Sequence, residues 1–114
     1  MSDKVGPLNV EGGPSQEQIG EWKVKHGELF VAKFSETEKY VYRPIKRFEY
    51  KQIMTLGQTE NKSFAEEKVV GMCVVWPQLE PSKMSMFKAG TISTLVDLIM
   101  SASNFGIAEE PVRL

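Results

Sequence analysis

Ile92, Leu95, Val96, Ile99 and Met100 fall at i, i+3, i+4, i+7 and i+8, the spacing that gathers apolar side chains on one face of an α-helix. A helix is therefore expected from Thr91 to Ser103. Such a face is stable only when it is covered, and a chain of 114 residues must supply that cover from a single core. Apolar residues make up 41% and charged residues 25%, close to the average of soluble globular proteins. The body of the chain is expected to fold.

Ser15 followed by Gln18 reads as a capping box that opens a first helix. Ile19, Trp22 and His26 share its narrow apolar face, and Gly27 suits its C-terminus. Leu29 to Phe34 and Tyr40 to Tyr42 read as two strands of a hairpin that turns through Ser35 to Lys39. Pro44, which cannot donate to a strand ladder, ends the second. A second helix is expected from Ile45 to Leu56, ended by Gly57, with Ile45, Phe48, Ile53 and Leu56 inward and Tyr50 and Met54 broadening the face. Ser63, with Glu66 three residues on, reads as the cap of a third helix. That helix is apolar nearly all round from Val69 to Trp76 and ends at Pro77. Ser82 begins a short turn through Met84 and Phe87, closed by Ala89 and Gly90.

The fold class expected is α+β, a β-hairpin packed against a small bundle of about four helices. Residues 15–106 form the single domain and residues 107–114 a loose acidic tail. Residues 1–14 hold Gly6, Pro7, Gly12, Gly13 and Pro14 and few large apolar groups, so they form a flexible arm that orders only against something else. Val5, Leu8 and Val10 are its candidate anchors.

Composition narrows the function. The net charge of -1 argues against general nucleic-acid binding, which needs a basic footprint. Cys73, the single cysteine, lies in an apolar run and reads as a buried small hydrophobe in a chain that folds in a reducing compartment. No secretion signal is expected at the N-terminus, and no apolar run approaches the roughly 20 residues that span a bilayer. His26, the single histidine, reads as support for the carbonyls at a helix end. One Cys and one His do not fill a structural zinc site, and no phosphate-binding glycine loop is present. Neither an enzyme activity nor a cofactor is expected.

Two stretches keep alternatives open. Lys39, Arg43, Lys46, Arg47 and Lys51 interleave with Tyr40, Tyr42, Phe48 and Tyr50, a pattern that can hold single-stranded nucleic acid. The ordinary reading, which we favour, places the aromatics inward and the lysines in water. Arg43, just before Pro44, is well placed to pair with an acid or cap a carbonyl and so to hold hairpin and helix together. Met72, Met84, Met86 and Met100 either fill gaps in a core or form an adaptable binding surface.

The order of short motifs also resembles a known group. A helix carrying Trp22 and ending in His26-Gly27 precedes the strands Glu28-Leu29-Phe30-Val31 and Lys39-Tyr40-Val41-Tyr42. Arg43-Pro44 then leads to Phe48-Glu49-Tyr50, followed by Cys73-Val74-Val75-Trp76-Pro77 and a last helix ending in Ser103-Asn104-Phe105-Gly106. This layout, over residues 15–106, is similar to the small tail assembly chaperones and related accessory proteins of tailed bacteriophages. The resemblance implies a protein of the host cell cytoplasm that holds the hydrophobic tape-measure protein while tail-tube subunits polymerise around it. It also implies an exposed apolar face for tail proteins, at Met72, Trp76, Met84, Phe87, Leu95 and Ile99, with self-association as a further use. The arm before Ser15 is long for that family, which leaves open a structural protein of the virion ordered by its neighbours. A small nucleic-acid-binding regulator is the third reading.

Overall fold

The computed structural model of the chain describes residues 6–59, 62–106 and 110–114. Among these, α1 spans Gln16–His26, β1 Phe30–Lys33, β2 Lys39–Tyr42, α2 Arg47–Thr59, α3 Lys62–Cys73, β3 Val74–Trp76, α4 Pro81–Met84 and α5 Ala89–Ala102. The three strands form one antiparallel sheet in the order β1-β2-β3, and the class is α+β.

The capping box of α1 is present in both directions. Gln18 N–H donates to Ser15 Oγ at 3.1 Å, and Ser15 N–H donates to Gln18 Oε1 at 2.9 Å. Gly27 ends the helix at φ 87°, where a side chain would be strained, and its N–H closes on Lys23 O at 2.8 Å. No residue of α1 is buried. Its stability therefore rests on its caps more than on packing.

The hairpin pairs Phe30 with Tyr42 and Lys33 with Lys39. Phe30 and Tyr42 stack with ring centroids 5.6 Å apart, and Phe34 meets the edge of Tyr40 at the same separation, contacts of the kind that make cross-strand pairs stabilising. Ser35 Oγ accepts from Glu38 N–H at 3.0 Å and from Thr37 N–H at 3.2 Å, which closes the turn.

The long apolar stretch is not one helix. It is helical only to Cys73, and Val74, Val75 and Trp76 leave it as a strand against β2. The β-branched pair and the indole suit a strand, and β2 offers an edge for them to pair with. Arg43 fixes the change of direction. Its N–H donates to Cys73 O at 2.9 Å and its Nη2 to Met72 O at 3.0 Å, which satisfies two carbonyls at the end of α3.

Other boundaries also move. Ile45 is buried ahead of α2 instead of within it, held by a bond from its N–H to Ser103 Oγ at 2.8 Å. Glu49, three residues after Lys46, accepts the Lys46 N–H at 3.0 Å, so the helix starts at Arg47. It runs through Gly57 to Thr59, since a mid-helix glycine costs only about 1 kcal/mol. Phe48 and Met54 face solvent, at 62% and 47% exposure, while Ile53 is the inward residue. α3 begins at Lys62, ahead of Ser63. The side chains of Leu56 and Ser63 lie outside the described residues, as do Val5 and residues 107–109. α5 starts at Ala89, ahead of the expected Thr91, and takes in Gly90.

The core joins the sheet to the helices: Ala32, Tyr40 and Tyr42 from the sheet, Ile53 from α2, Val69, Val70 and Cys73 from α3, and Leu95 and Ile99 from α5. Residues 6–14 fold into two turns, Asn9 N–H to Gly6 O and Gly13 N–H to Val10 O. Lys39 Nζ donates to Leu8 O at 2.7 Å, and Pro14 is buried. The surface against which this segment orders is the chain's own hairpin.

Candidate partner-binding groove

α3 turns two faces in opposite directions. Val69, Val70 and Cys73 are buried in the core, whereas Phe64, Glu67, Lys68 and Gly71, at i, i+3, i+4 and i+7, look outward. With Met72 they form one wall of a groove of about 330 Å³, and Leu79, Glu80 and Met84 form the other. Most of the surface inside it is apolar. Liquid water occupies about 30 Å³ per molecule, so the groove has room for several side chains of a ligand. A Cβ on Gly71 would sit 3.8 Å from Met84 Cε, an ordinary contact that would narrow the groove without moving the backbone.

Met72, on the groove's wall, is tied through its carbonyl to a polar clamp. Arg43 Nη1 and Nη2 donate to Glu49 Oε1 and Oε2 at 2.9 and 2.8 Å, a two-point ion pair whose side chains are only 11% and 12% exposed. The same guanidinium donates to Pro44 O and to Met72 O, each at 3.0 Å. The hydrogen bonds from Arg43 hold the Glu49 carboxyl below its ordinary value, and the same bonds raise Arg43 further. The end of β2, the start of α2 and the end of α3 thus meet at one charge pair, and the backbone of Met72 is fixed there.

Burial, and after it Arg43 and Lys25, hold His26 below its ordinary value, and it lines a separate hollow with Trp22 and Val75. Burial pushes the Cys73 thiol up to about 11, which favours its neutral form. Among the described residues no three His, Cys, Asp or Glu side chains come together to hold a metal ion, and no helix is long and apolar enough to cross a membrane.

The residues expected to contact a partner divide into four groups. Met72 and Met84 both line the groove, Met84 from a largely buried position. Phe87 is half-buried, 6.3 Å from the Tyr40 ring, and lines a smaller adjoining hollow with Ile92. Trp76 is half-buried in β3, opposite Val41, and lines neither. Leu95 and Ile99 are fully buried in the core, which corrects their assignment to a contact surface: the face that makes α5 legible is the face the core consumes. Phe64, Leu79, Glu67 and Glu80 were not foreseen. The outward face of α3 mixes one aromatic with charges and a glycine, so no periodicity marks it.

The basic and aromatic stretch likewise does not form one surface. Tyr40 and Tyr42 are buried, Arg43 is paired, Lys39 is engaged with Leu8, and Arg47 lies over the Tyr50 ring at 5.9 Å. Comparison of the chain with protein-family models, curated proteins and solved structures finds no match.

Proposed function

We propose that this protein binds an apolar segment of another polypeptide in the groove between α3 and the stretch from Leu79 to Met84, as an assembly chaperone does. The observation that carries the reading is the groove itself: an open apolar channel walled by Met72, Leu79 and Met84, with Phe64 at its margin 45% exposed. Flexible methionine side chains adapt to varied apolar shapes. The motif layout supplies the proposed setting, the tail assembly of a tailed bacteriophage in the host cytoplasm, with the tape-measure protein as client.

The virion-structural alternative draws on an arm available to neighbouring subunits, but that arm is tied to the hairpin at Leu8, whose carbonyl accepts from Lys39. The nucleic-acid alternative draws on four aromatics, of which Tyr40 and Tyr42 lie inside and only Phe48 is exposed. Both receive less support than the groove.

Co-expression with the tape-measure protein of the same phage tests the proposal. The two should co-purify, and Leu79→Ser should weaken the complex roughly tenfold through the loss of one buried aliphatic contact. Finished particles should lack the protein. Stoichiometric copies in purified virions, or binding indifferent to Leu79→Ser, would reject the chaperone reading.

A further inference from the structure

A second hollow, of about 230 Å³, lies between the later half of α1 and the junction of α3 with β3, and shares only Gly71 and Met72 with the groove. Trp22, Lys25 and His26 line it from α1, and Arg43 lines it from the end of β2. Most of its surface is polar. Lys46, just ahead of α2, adds its charge to those of Lys25 and Arg43 in the field at His26. Glu49 is the one acid that acts there, and Arg43 already holds both its oxygens. Among the described residues Lys25 and Lys46 form no ion pair; the pairs formed are Lys33–Glu36 and Arg43–Glu49. The terminal N–H donors of Arg43 are spent on Glu49, Pro44 O and Met72 O. Its fifth donor, Nε–H, has no partner among the described residues and is not sealed from solvent. The ring nitrogens of His26 and the Nζ of Lys25 make no hydrogen bond among those residues either.

We infer that this hollow binds a phosphate group, held by Lys25, His26 and the Nε–H of Arg43. A carboxylate is matched by the planar fork of an arginine, and Glu49 occupies that fork. What remains are single donors on three separate side chains, which suit the four oxygens of a tetrahedral anion better than the two of a carboxylate. Charge favours the same ligand. Burial and then the surrounding cations hold His26 below its ordinary value; an anion bound among those cations offsets their repulsion and draws a proton onto the ring. Liquid water occupies about 30 Å³ per molecule, so the anion enters by displacing several waters. The Trp22 indole supplies a wall against which an organic group carried by the phosphate can lie.

His26 is the single histidine, so proton NMR of the full chain reads the site directly. The probe is sodium sulfate, a tetrahedral dianion whose charge is constant across the neutral range. The His26 ring signals should shift saturably, and the ring's pKa should rise by about one unit, the shift that corresponds to tenfold tighter binding by the protonated ring. Binding should therefore tighten as the pH falls through the pKa of His26. Lys25→Gln, at an exposed position, should weaken it about tenfold through the loss of one charge-assisted bond and leave the fold unaltered. Inorganic phosphate should compete with sulfate at neutral pH. Phenyl phosphate separates the two sources of the anion: tighter binding than inorganic phosphate marks an ester lying against Trp22, and equal binding marks the free anion. His26 signals that sodium chloride of equal ionic strength moves as far, that sulfate leaves in place up to about 50 mM, or that respond to sulfate equally in Lys25→Gln, would each overturn the inference.

Discussion

Arg43 and Glu49 make the most consequential pair of side chains in the molecule. Arg43 holds two carbonyls at the end of α3, one carbonyl before α2 and both oxygens of Glu49. Removing one partner of a buried ion pair costs about 3–5 kcal/mol. Glu49→Gln leaves the carbonyl partners of Arg43 in place, so its expected cost at pH 7 is smaller, about 2–3 kcal/mol. The pH dependence has a definite sign. Glu49 titrates lower in the folded state than its ordinary value of 4.5, so its contribution is complete above that value and is lost as pH falls through the lower, folded one. Urea unfolding of wild type and Glu49→Gln should therefore differ at pH 7 and converge as the pH drops below 4.5. A constant difference across that range would show that the charge is not what the pair contributes. The residue-level reading of Arg43 was legible because a guanidinium beside a proline at a strand end has few ordinary uses. Which acid it meets was not, because Glu49 becomes its partner only when α2 starts where it does.

At the scale of elements, legibility follows periodicity and capping. α5 and the capping box of α1 are local patterns, and the chain forms both. The stretch from Val69 to Trp76 is apolar on all sides and is expected to be helical throughout, but it carries no period, and periodicity alone does not separate a buried helix from a buried strand. Pairing with β2 and capping by Arg43 divide it at Cys73. The same contrast predicts mutational cost. Ile99→Ala in α5 removes a fully buried side chain packed in the core and should cost about 2–5 kcal/mol. Val24→Ala on α1, where the side chain is 89% exposed, should change stability by no more than about 0.5 kcal/mol. Denaturant titration of both variants checks this, and comparable losses would show that α1 is packed more tightly than its burial indicates.

At the scale of the whole molecule, one core unites the sheet with α2, α3, α4 and α5, while α1 contributes no buried residue. Unfolding should therefore be cooperative for the body and separable for α1. The two tryptophans report on each part: Trp76 sits in β3 and Trp22 in α1. With Trp22→Phe, fluorescence should follow the far-ultraviolet circular dichroism of the main transition. With Trp76→Phe, the remaining Trp22 signal should begin to change at lower denaturant. Coincident curves in both variants would place α1 inside the cooperative unit. The groove belongs to this scale as well. It exists because α3 buries one face in the core and turns the other toward Leu79 and Met84, residues that follow it across a strand and a loop.

Periodic spacing, helix caps and a proline-bounded hairpin were enough to determine an α+β class and the inward face of the last helix, since each acts over a few neighbouring residues. Only the folded chain decided where the third helix yields to a strand, which acid holds Arg43, and which methionines reach a surface. Those outcomes depend on groups distant in sequence competing for the same carbonyl, the same sheet edge or the same core volume.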